Sequence, residues 1–483
     1  VTDAVVTAGA SPASARHPAR EVWAQAWPTV VTMLSYTLMQ FVDSLMVSKL
    51  GPLEVAGQGN GGIWAFVPQS FLFGFLSMVN TFVSQNLGAG RRDEVARYAW
   101  AGLWLAIASW LVVMVPWGLT MPWAFERMGH SIELRRLELQ YGQVLVFGSI
   151  AGLSAKAMSN LFFGLQRPRL ITVAAIAGNV VNVLLNYALI YGSEGVAAWG
   201  LPGVPFAPRL GVMGAALATV CGTAVELALP LSVFLFGSLA RDLATRAAWR
   251  PRWRELRDLL RLGWPVSIQF GNEIICWAIF MTVLVGHFGE LHLTAGWSVL
   301  RYMHLSFMPA VGFSVATTAL AGRYIGAGKP DLAANRAHWA LGMAIVYMAA
   351  CGLMMALFRD SLVGVFVSDS HPEVVREVIS IGSRLMICAA IFQVFDAVGI
   401  VYTGALRGAG DTVVPGVATI VLSWGLIVGL GAWLAWNRPG LQSVGPWIGA
   451  SIYIIVYGVW MALRFERGAW RRIRLLEPTP GPR

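Results

Sequence analysis

The chain has 483 residues, of which 57% are hydrophobic and only 12% charged, a balance that excludes an ordinary soluble globule. Its formal net charge is +10, but the basic residues are split among many connections with no aromatic platform between them, so a nucleic-acid partner is not expected. Cys221, Cys276, Cys351 and Cys388 each sit alone in a different apolar stretch, which offers neither a disulfide framework nor a zinc spacing.

The first twenty residues are rich in Ala, Pro and Ser and lack a short apolar core with a cleavage site, so no cleaved leader is expected. Twelve apolar runs follow, at roughly 23–47, 57–85, 96–118, 139–163, 170–191, 211–236, 262–287, 294–323, 337–358, 378–403, 413–436 and 445–463. Each is long enough to cross a hydrocarbon core of about 30 Å. The expected division is a tail at 1–21, a six-helix lobe at 22–237, a basic linker at 238–260, a second six-helix lobe at 261–465 and a basic tail at 466–483. Residues 238–261 hold seven arginines with Trp249 and Trp253, a composition suited to an amphipathic stretch lying on the membrane surface.

Charge placement orients the spans. Of the 35 Lys and Arg residues, 24 fall on the side of both termini, eight on the other side, and three (Lys156, Arg301 and Arg384) within spans. The positive-inside rule then places both termini in the cytoplasm of a multi-pass protein of the inner (plasma) membrane. The net positive charge reports topology and contact with anionic lipid.

The chain also repeats itself. Trp27-Pro28 recurs as Trp264-Pro265, Gly88-Ala89-Gly90 as Gly326-Ala327-Gly328, and Gly164-Leu165-Gln166-Arg167 as Gly404-Ala405-Leu406-Arg407. The offsets all lie between 237 and 240. Six spans per half is an even number, so the two halves insert with the same orientation. The expected fold is an all-α integral membrane protein with two six-helix bundles related by a pseudo-twofold axis along the membrane normal, which is a common build of carriers.

Ionisable side chains within spans cost a few kcal/mol each on insertion scales and call for a reason. Four acids qualify: Asp43, Glu226, Glu273 and Asp396. At 1.5 Å per residue, Glu273 lies roughly 18 Å beyond Arg261 and Asp396 roughly 16 Å before Arg407. Two carboxylates of the second half thus reach one height near the midplane, as expected of a coupling-ion site. In the first half, Asp43 lies roughly 22 Å beyond Pro28, at a height similar to Asn182 and Asn186. Asn179, Asn182 and Asn186 share one helix face. An acid with amides at hand can hold a proton or offer oxygens to a hard cation. Buried Asn also serves as interhelical glue, Asp43 also suits snorkelling toward the outer interface, and Glu226 has no evident partner. Lys156 and Arg301 read as lobe-packing or cavity-rim cations. No nucleophile–base constellation, metal motif or phosphate cradle is visible. Transport would then draw on an ion gradient, with no cofactor.

Several segments carry a resemblance. Phe41-Val42-Asp43-Ser44-Leu45-Met46-Val47 followed by Leu50-Gly51, Ser84-Gln85-Asn86-Leu87-Gly88-Ala89-Gly90, Pro265 with Glu273, and Phe392-Gln393-Val394-Phe395-Asp396-Ala397 followed by Gly404-Ala405-Leu406-Arg407-Gly408 and Asp411-Thr412 resemble the multidrug and toxic compound extrusion (MATE) exporters, NorM-like branch. The resemblance runs from about residue 22 to 465. It implies two bundles set in a V and export of bulky, often cationic drugs in exchange for H⁺ or Na⁺. It implies Glu273 and Asp396 as coupling-ion carboxylates, with Na⁺ as one candidate ion there, and Asp43 as a first-lobe ion site. Asn182, Asn186, Phe392 and Gln393 would line the cavity, and Pro28 would be the bending point of the first helix. Some Na⁺-linked relatives have a tyrosine where this chain has Phe392, and losing that hydroxyl tilts the reading toward protons. The implied partners are small-molecule drugs and organic cations with the lipid bilayer around a monomer. A lipid-linked precursor flippase of the same superfamily, a membrane-embedded enzyme and a channel are the competing readings. Intramembrane acids outnumber bases, which weighs against the flippase; no enzyme motif is visible, and the two-lobe repeat weighs against a channel.

Overall fold

The computed structural model describes residues 17–196, 200, 202–366 and 371–476. The expected tail before residue 17 and the end of the basic tail after 476 lie outside the described residues. Among these residues twelve helices are long and apolar enough to cross a membrane. They are α1 Pro18–Val47, α2 Pro52–Gly88, α3 Arg92–Arg127, α4 Ile132–Gly164, α5 Pro168–Glu194, α6 Val212–Phe236, α7 Trp253–Phe288, α8 Glu290–Gly326, α9 Pro330–Leu357, α10 Pro372–Ala409, α11 Val413–Asn437 and α12 Val444–Glu466.

Their ends are set by local chemistry. Proline opens α1, α2, α5, α9 and α10, where its missing N–H costs nothing. At α1 the His17 side chain accepts from the Ala19 amide, so the helix starts within the expected tail of 1–21. α10 stops at Gly410, which adopts a left-handed φ of 88°, and the Asp411 amide donates back to the Leu406 carbonyl at 2.9 Å. That is the usual glycine stop of a helix.

The linker is shorter than the expected 238–260, because α7 already begins at Trp253. What precedes it is tied to the first lobe. The indoles of Trp100 and Trp104 on α3 donate to the carbonyls of Thr245 and Trp249, each at 2.8 Å. The Thr245 hydroxyl donates to Phe234 O at 2.7 Å. In the C-terminal tail, Trp470 is buried and stacks on Phe465 at 5.1 Å.

Core packing runs across the expected division at residue 237. Val22 and Ala26 of α1 are buried among Ala310, Phe313, Leu320, Met348 and Val401 of the second half. Leu259 and Val266 of α7 are buried among first-half residues such as Leu76, Val79 and Phe82. Each lobe therefore lends the start of its first helix to the other. The reason is steric: Gly312 on α8 leaves room for the Val30 backbone, and Gly74 on α2 leaves room for that of Ser267.

Among the described residues, hydrogen bonds join the lobes near the chain ends. Thr29 donates to Gly312 O at 2.8 Å, Thr81 to Arg407 O at 3.0 Å and Gln85 to Gly408 O at 2.8 Å. Tyr324 and Arg336 both donate to the Glu21 carboxylate, at 2.8 and 2.7 Å. These contacts all lie in the helix halves nearest the chain ends. The opposite halves of α1, α2, α7 and α8 instead expose Leu38, Phe41, Ile63, Phe66, Val283 and Trp297. The two bundles thus meet where α1, α2, α8 and α10 exchange bonds, and the opposite helix halves carry exposed apolar side chains.

Candidate functional site

Glu273 stands just past the seam between the lobes. Two residues earlier, Gly271 is pressed against the Phe71 ring of α2, so close that a Cβ would lie 2.0 Å from it. Glu273, two residues further, is partly buried. Asp396 on α10 is also partly buried and lies within electrostatic reach of Glu273. Among the described residues neither carboxyl makes a hydrogen bond or an ion pair. Two acids with free oxygens can share one proton or present their oxygens to one cation.

Their surroundings come from helices that motif reading did not single out. Tyr453 on α12 is buried and lies within electrostatic reach of both acids. Tyr457, one turn on, receives a bond from Gln269 at 3.1 Å and pairs with Thr403 at 2.7 Å. Asn272 donates to Ser423 at 2.9 Å and accepts from the Trp424 indole at 2.7 Å. The tyrosine pair is visible in the sequence only as an i, i+4 spacing on an apolar helix, a weak signal.

Two expected cavity residues are placed elsewhere. Phe392 is fully buried in the second lobe's core with Phe280, Met303 and Met355. Gln393 is 1% exposed and bonded to Ser306 on α8 at 3.1 Å. Phe392 lies one turn before Asp396 on the same face of α10, and both it and Gln393 are closed off in the core, so neither side chain reaches the open space.

The first-lobe polar residues do converge. Asn186 donates to Asp43, Thr219 on α6 donates to its other oxygen at 3.3 Å, and Asn186 also donates to Asn182 Oδ1 at 3.2 Å. Asp43 is 5% exposed and both asparagines 0%. The cluster is a sealed network, which corrects the expectation that these residues line an open cavity. Asn186 Oδ1 remains buried without a hydrogen-bond partner. Asn179 stands apart, donating to Ser35 on α1 at 2.8 and 2.9 Å.

Glu226 gains the partner that the sequence did not reveal: Tyr36 on α1 donates to its carboxylate. Lys156 on α4 lies within electrostatic reach of Glu226. Arg301 packs over the Phe366 ring at 4.8 Å. Pro28 sits inside α1 and is buried; its carbonyl accepts from Thr32 and from Thr172 on α5, both at 2.8 Å. A proline here removes the amide that would bond the Ala24 carbonyl, while the two hydroxyls add bonds at the carbonyl of Pro28 itself.

Comparison with known proteins agrees with this architecture. The family profile described as MatE matches residues 28–188 and again 273–433, once per lobe. The chain is 30% identical over 464 residues to "Multidrug resistance protein NorM" of Burkholderia vietnamiensis, covering 95% of this chain and 96% of that one. It is likewise 30% identical to "Probable multidrug resistance protein NorM" of Burkholderia pseudomallei, covering 95% of each. Among solved structures, a MOP superfamily transporter from Pyrococcus furiosus, whose title speaks of a binding pocket of reverse polarity, superposes with a TM-score of 0.83 at 21% identity, covering 95% of this chain and 98% of that one. An outward-facing multidrug resistance MATE family transporter superposes at 0.81 with 20% identity, covering 94% and 97%. A twofold family match, full-length relatives and a shared twelve-helix fold make this chain a member of the MatE family.

Proposed function

We propose that this protein is a secondary active antiporter of the membrane that exports amphipathic, mostly cationic organic compounds in exchange for H⁺ or Na⁺, working as a monomer with both termini in the cytoplasm. The observation that carries the reading is the Glu273–Asp396 pair: two carboxyls within electrostatic reach of each other and free of hydrogen bonds among the described residues. The names of the relatives support drug efflux as the task.

The cycle follows from competition. Ionised, the pair attracts a cationic substrate, and apolar and aromatic surfaces on α1, α2, α7 and α8 hold its hydrophobic body. An incoming proton or Na⁺ neutralises the pair, and the substrate loses its electrostatic anchor. One site that serves ion and substrate in turn gives exchange without any nucleotide. Rocking the lobes about their seam exposes that site to either side.

Dye efflux with separately imposed pH and Na⁺ gradients tests this. Efflux driven by either gradient and abolished in Glu273→Gln is the expected result. Undiminished efflux in both Glu273→Gln and Asp396→Asn proteins that insert correctly would sink the assignment.

A further inference from the structure

Of the eight basic residues on the side opposite the chain ends, Arg135, Arg136, Arg359 and Arg376 gather in two recesses, and the span-placed Arg384 joins them. Basic residues are scarce on that side, so their clustering calls for a reason. The recesses are equivalent by the internal repeat. One lies at the start of α4, has a volume of about 480 Å³ and is lined by Arg135, Arg136, Gln143 and Val144 among others. The other lies at the start of α10, has a volume of about 410 Å³ and is lined by Arg359, Asp360, Arg376, Ser383 and Arg384 among others. The 240-residue shift that lays Gly164 on Gly404 brings Arg136 onto Arg376, Gln143 onto Ser383 and Val144 onto Arg384. The second recess is the more basic, since Arg135 in the first is paired with Glu126 at 3.6 Å.

The arginines of the second recess keep donors to spare. Its one acid, Asp360, accepts from Ser383 and stands 4.0 Å from Arg359. Arg376 donates its Nε to the Pro372 carbonyl at 3.4 Å and makes no ion pair among the described residues. Arg384 makes neither a hydrogen bond nor an ion pair among them. Of the acids nearby on α10, Glu373 pairs with neither arginine, and Glu377 lies within electrostatic reach of His292 on α8. Three guanidinium groups against one carboxylate leave surplus positive charge on planar, forked donors, which suit a phosphate.

Arg384 also stands at headgroup depth. It precedes Arg407 by 23 residues, roughly 34 Å of helix, against a hydrocarbon core of about 30 Å. It lies nine residues from Gln393, which at about 100° per residue is the opposite face of the helix. Gln393 bonds Ser306 on α8, so Arg384 points away from α8 and from the other lobe. Ile387 and Ile391 follow Arg384 at i+3 and i+7 on its own face, 39% and 59% exposed. An apolar track thus runs inward from a cationic recess. Phe358 and Val365, at the ends of the short helix Arg359–Gly364, are exposed as well.

We propose that the recess at Arg359, Arg376 and Arg384 binds the phosphate of an anionic phospholipid in the leaflet opposite the chain ends, with an acyl chain lying along Ile387 and Ile391. A zwitterionic lipid brings a cation of its own into a recess that already has surplus positive charge, and binds there more weakly.

The test is native mass spectrometry of the delipidated full chain in neutral detergent, titrated with phosphatidylglycerol or with phosphatidylcholine of the same acyl chains. The wild type should bind its first phosphatidylglycerol about tenfold more tightly than phosphatidylcholine, the scale of a charge-assisted hydrogen bond. Arg384→Val, which copies the first lobe, combined with Arg376→Gln should abolish that preference. Arg384→Lys should retain most of it, and Arg438→Gln, on the same side but outside the recess, should leave it unchanged. Melting temperatures measured without lipid check that each variant is folded. Glycerophosphoglycerol, the same headgroup without acyl chains, should not displace the bound lipid. Equal affinities in the wild type, or a preference that survives the double variant, would overturn the proposal. Displacement by the chain-free headgroup or by inorganic phosphate would assign the recess to a soluble phosphate and overturn it as well.

Discussion

Gly88 and Gly326 occupy equivalent places in the two lobes, and the backbone of each one's opposite helix fills the space a side chain would need. A Cβ on Gly88 would lie 1.9 Å from the Arg323 carbonyl oxygen, and one on Gly326 would lie 2.0 Å from that of Gln85. The closest approach of α2 and α8 is therefore backbone on backbone, on the side of the chain ends.

This makes the glycine pair a latch. Gly88→Ala or Gly326→Ala must push the helices apart, with a cost of about 1–3 kcal/mol typical of overpacking. The distance between spin labels on the chain-end faces of the two lobes should lengthen, and efflux should slow. A distance distribution identical to wild type would show that the seam tolerates a methyl group and is not the latch.

Replacement of either acid of the second lobe should separate function from folding. Glu273 and Asp396 make no hydrogen bond among the described residues, so Glu273→Gln and Asp396→Asn leave no partner stranded. Thermal stability in detergent should stay within about 0.5 kcal/mol of wild type, as for substitutions that break no network. Gradient-driven efflux should vanish. A large loss of stability in either variant would mean that the acids are structural.

The Asp43 cluster should behave in the opposite way. Asn186 bridges Asp43 and Asn182 in a fully buried position, so Asn186→Leu strands a buried acid. A destabilisation of roughly 1–3 kcal/mol is expected, read as a lower melting temperature. Asp43→Asn keeps the shape and tests transport alone: if this lobe holds the transported proton, pH-driven efflux is lost even with Glu273 and Asp396 intact. Normal melting of Asn186→Leu would argue that the network carries no stability.

Binding of a cationic dye should depend on pH with a definite sign. Protons and cations compete for the same carboxyls, so affinity rises as pH rises, and by linkage dye binding releases protons. The slope should disappear in the Glu273→Gln, Asp396→Asn double variant. In sodium-free buffer an imposed pH gradient should still drive efflux, and an uncoupler should stop it. Efflux that needs Na⁺ at constant pH would show that other oxygens replace the hydroxyl absent at Phe392.

Much of this protein follows from its sequence because membrane insertion is local. A span must satisfy its own backbone and be apolar along its own length, so twelve helices, the repeat and the four intramembrane acids are legible residue by residue. The shared height of Glu273 and Asp396 is legible for the same reason, since helix rise converts numbering into depth. Rotation about each helix axis is not local, because packing against neighbours sets it. That is why the burial of Phe392 and Gln393 in the core, and the closing of Asp43, Asn182 and Asn186 on one another, emerge only from the packing. It is also why the partner Tyr36 for Glu226, and the nearness of Tyr453 to the acid pair, emerge only in three dimensions. The exchange of α1 and α7 between lobes has the same origin: glycines at Gly74 and Gly312 allow a close approach whose partner no single segment can specify. The sequence by itself determined which groups enter the membrane and how deep, and the tertiary structure decided which of them meet.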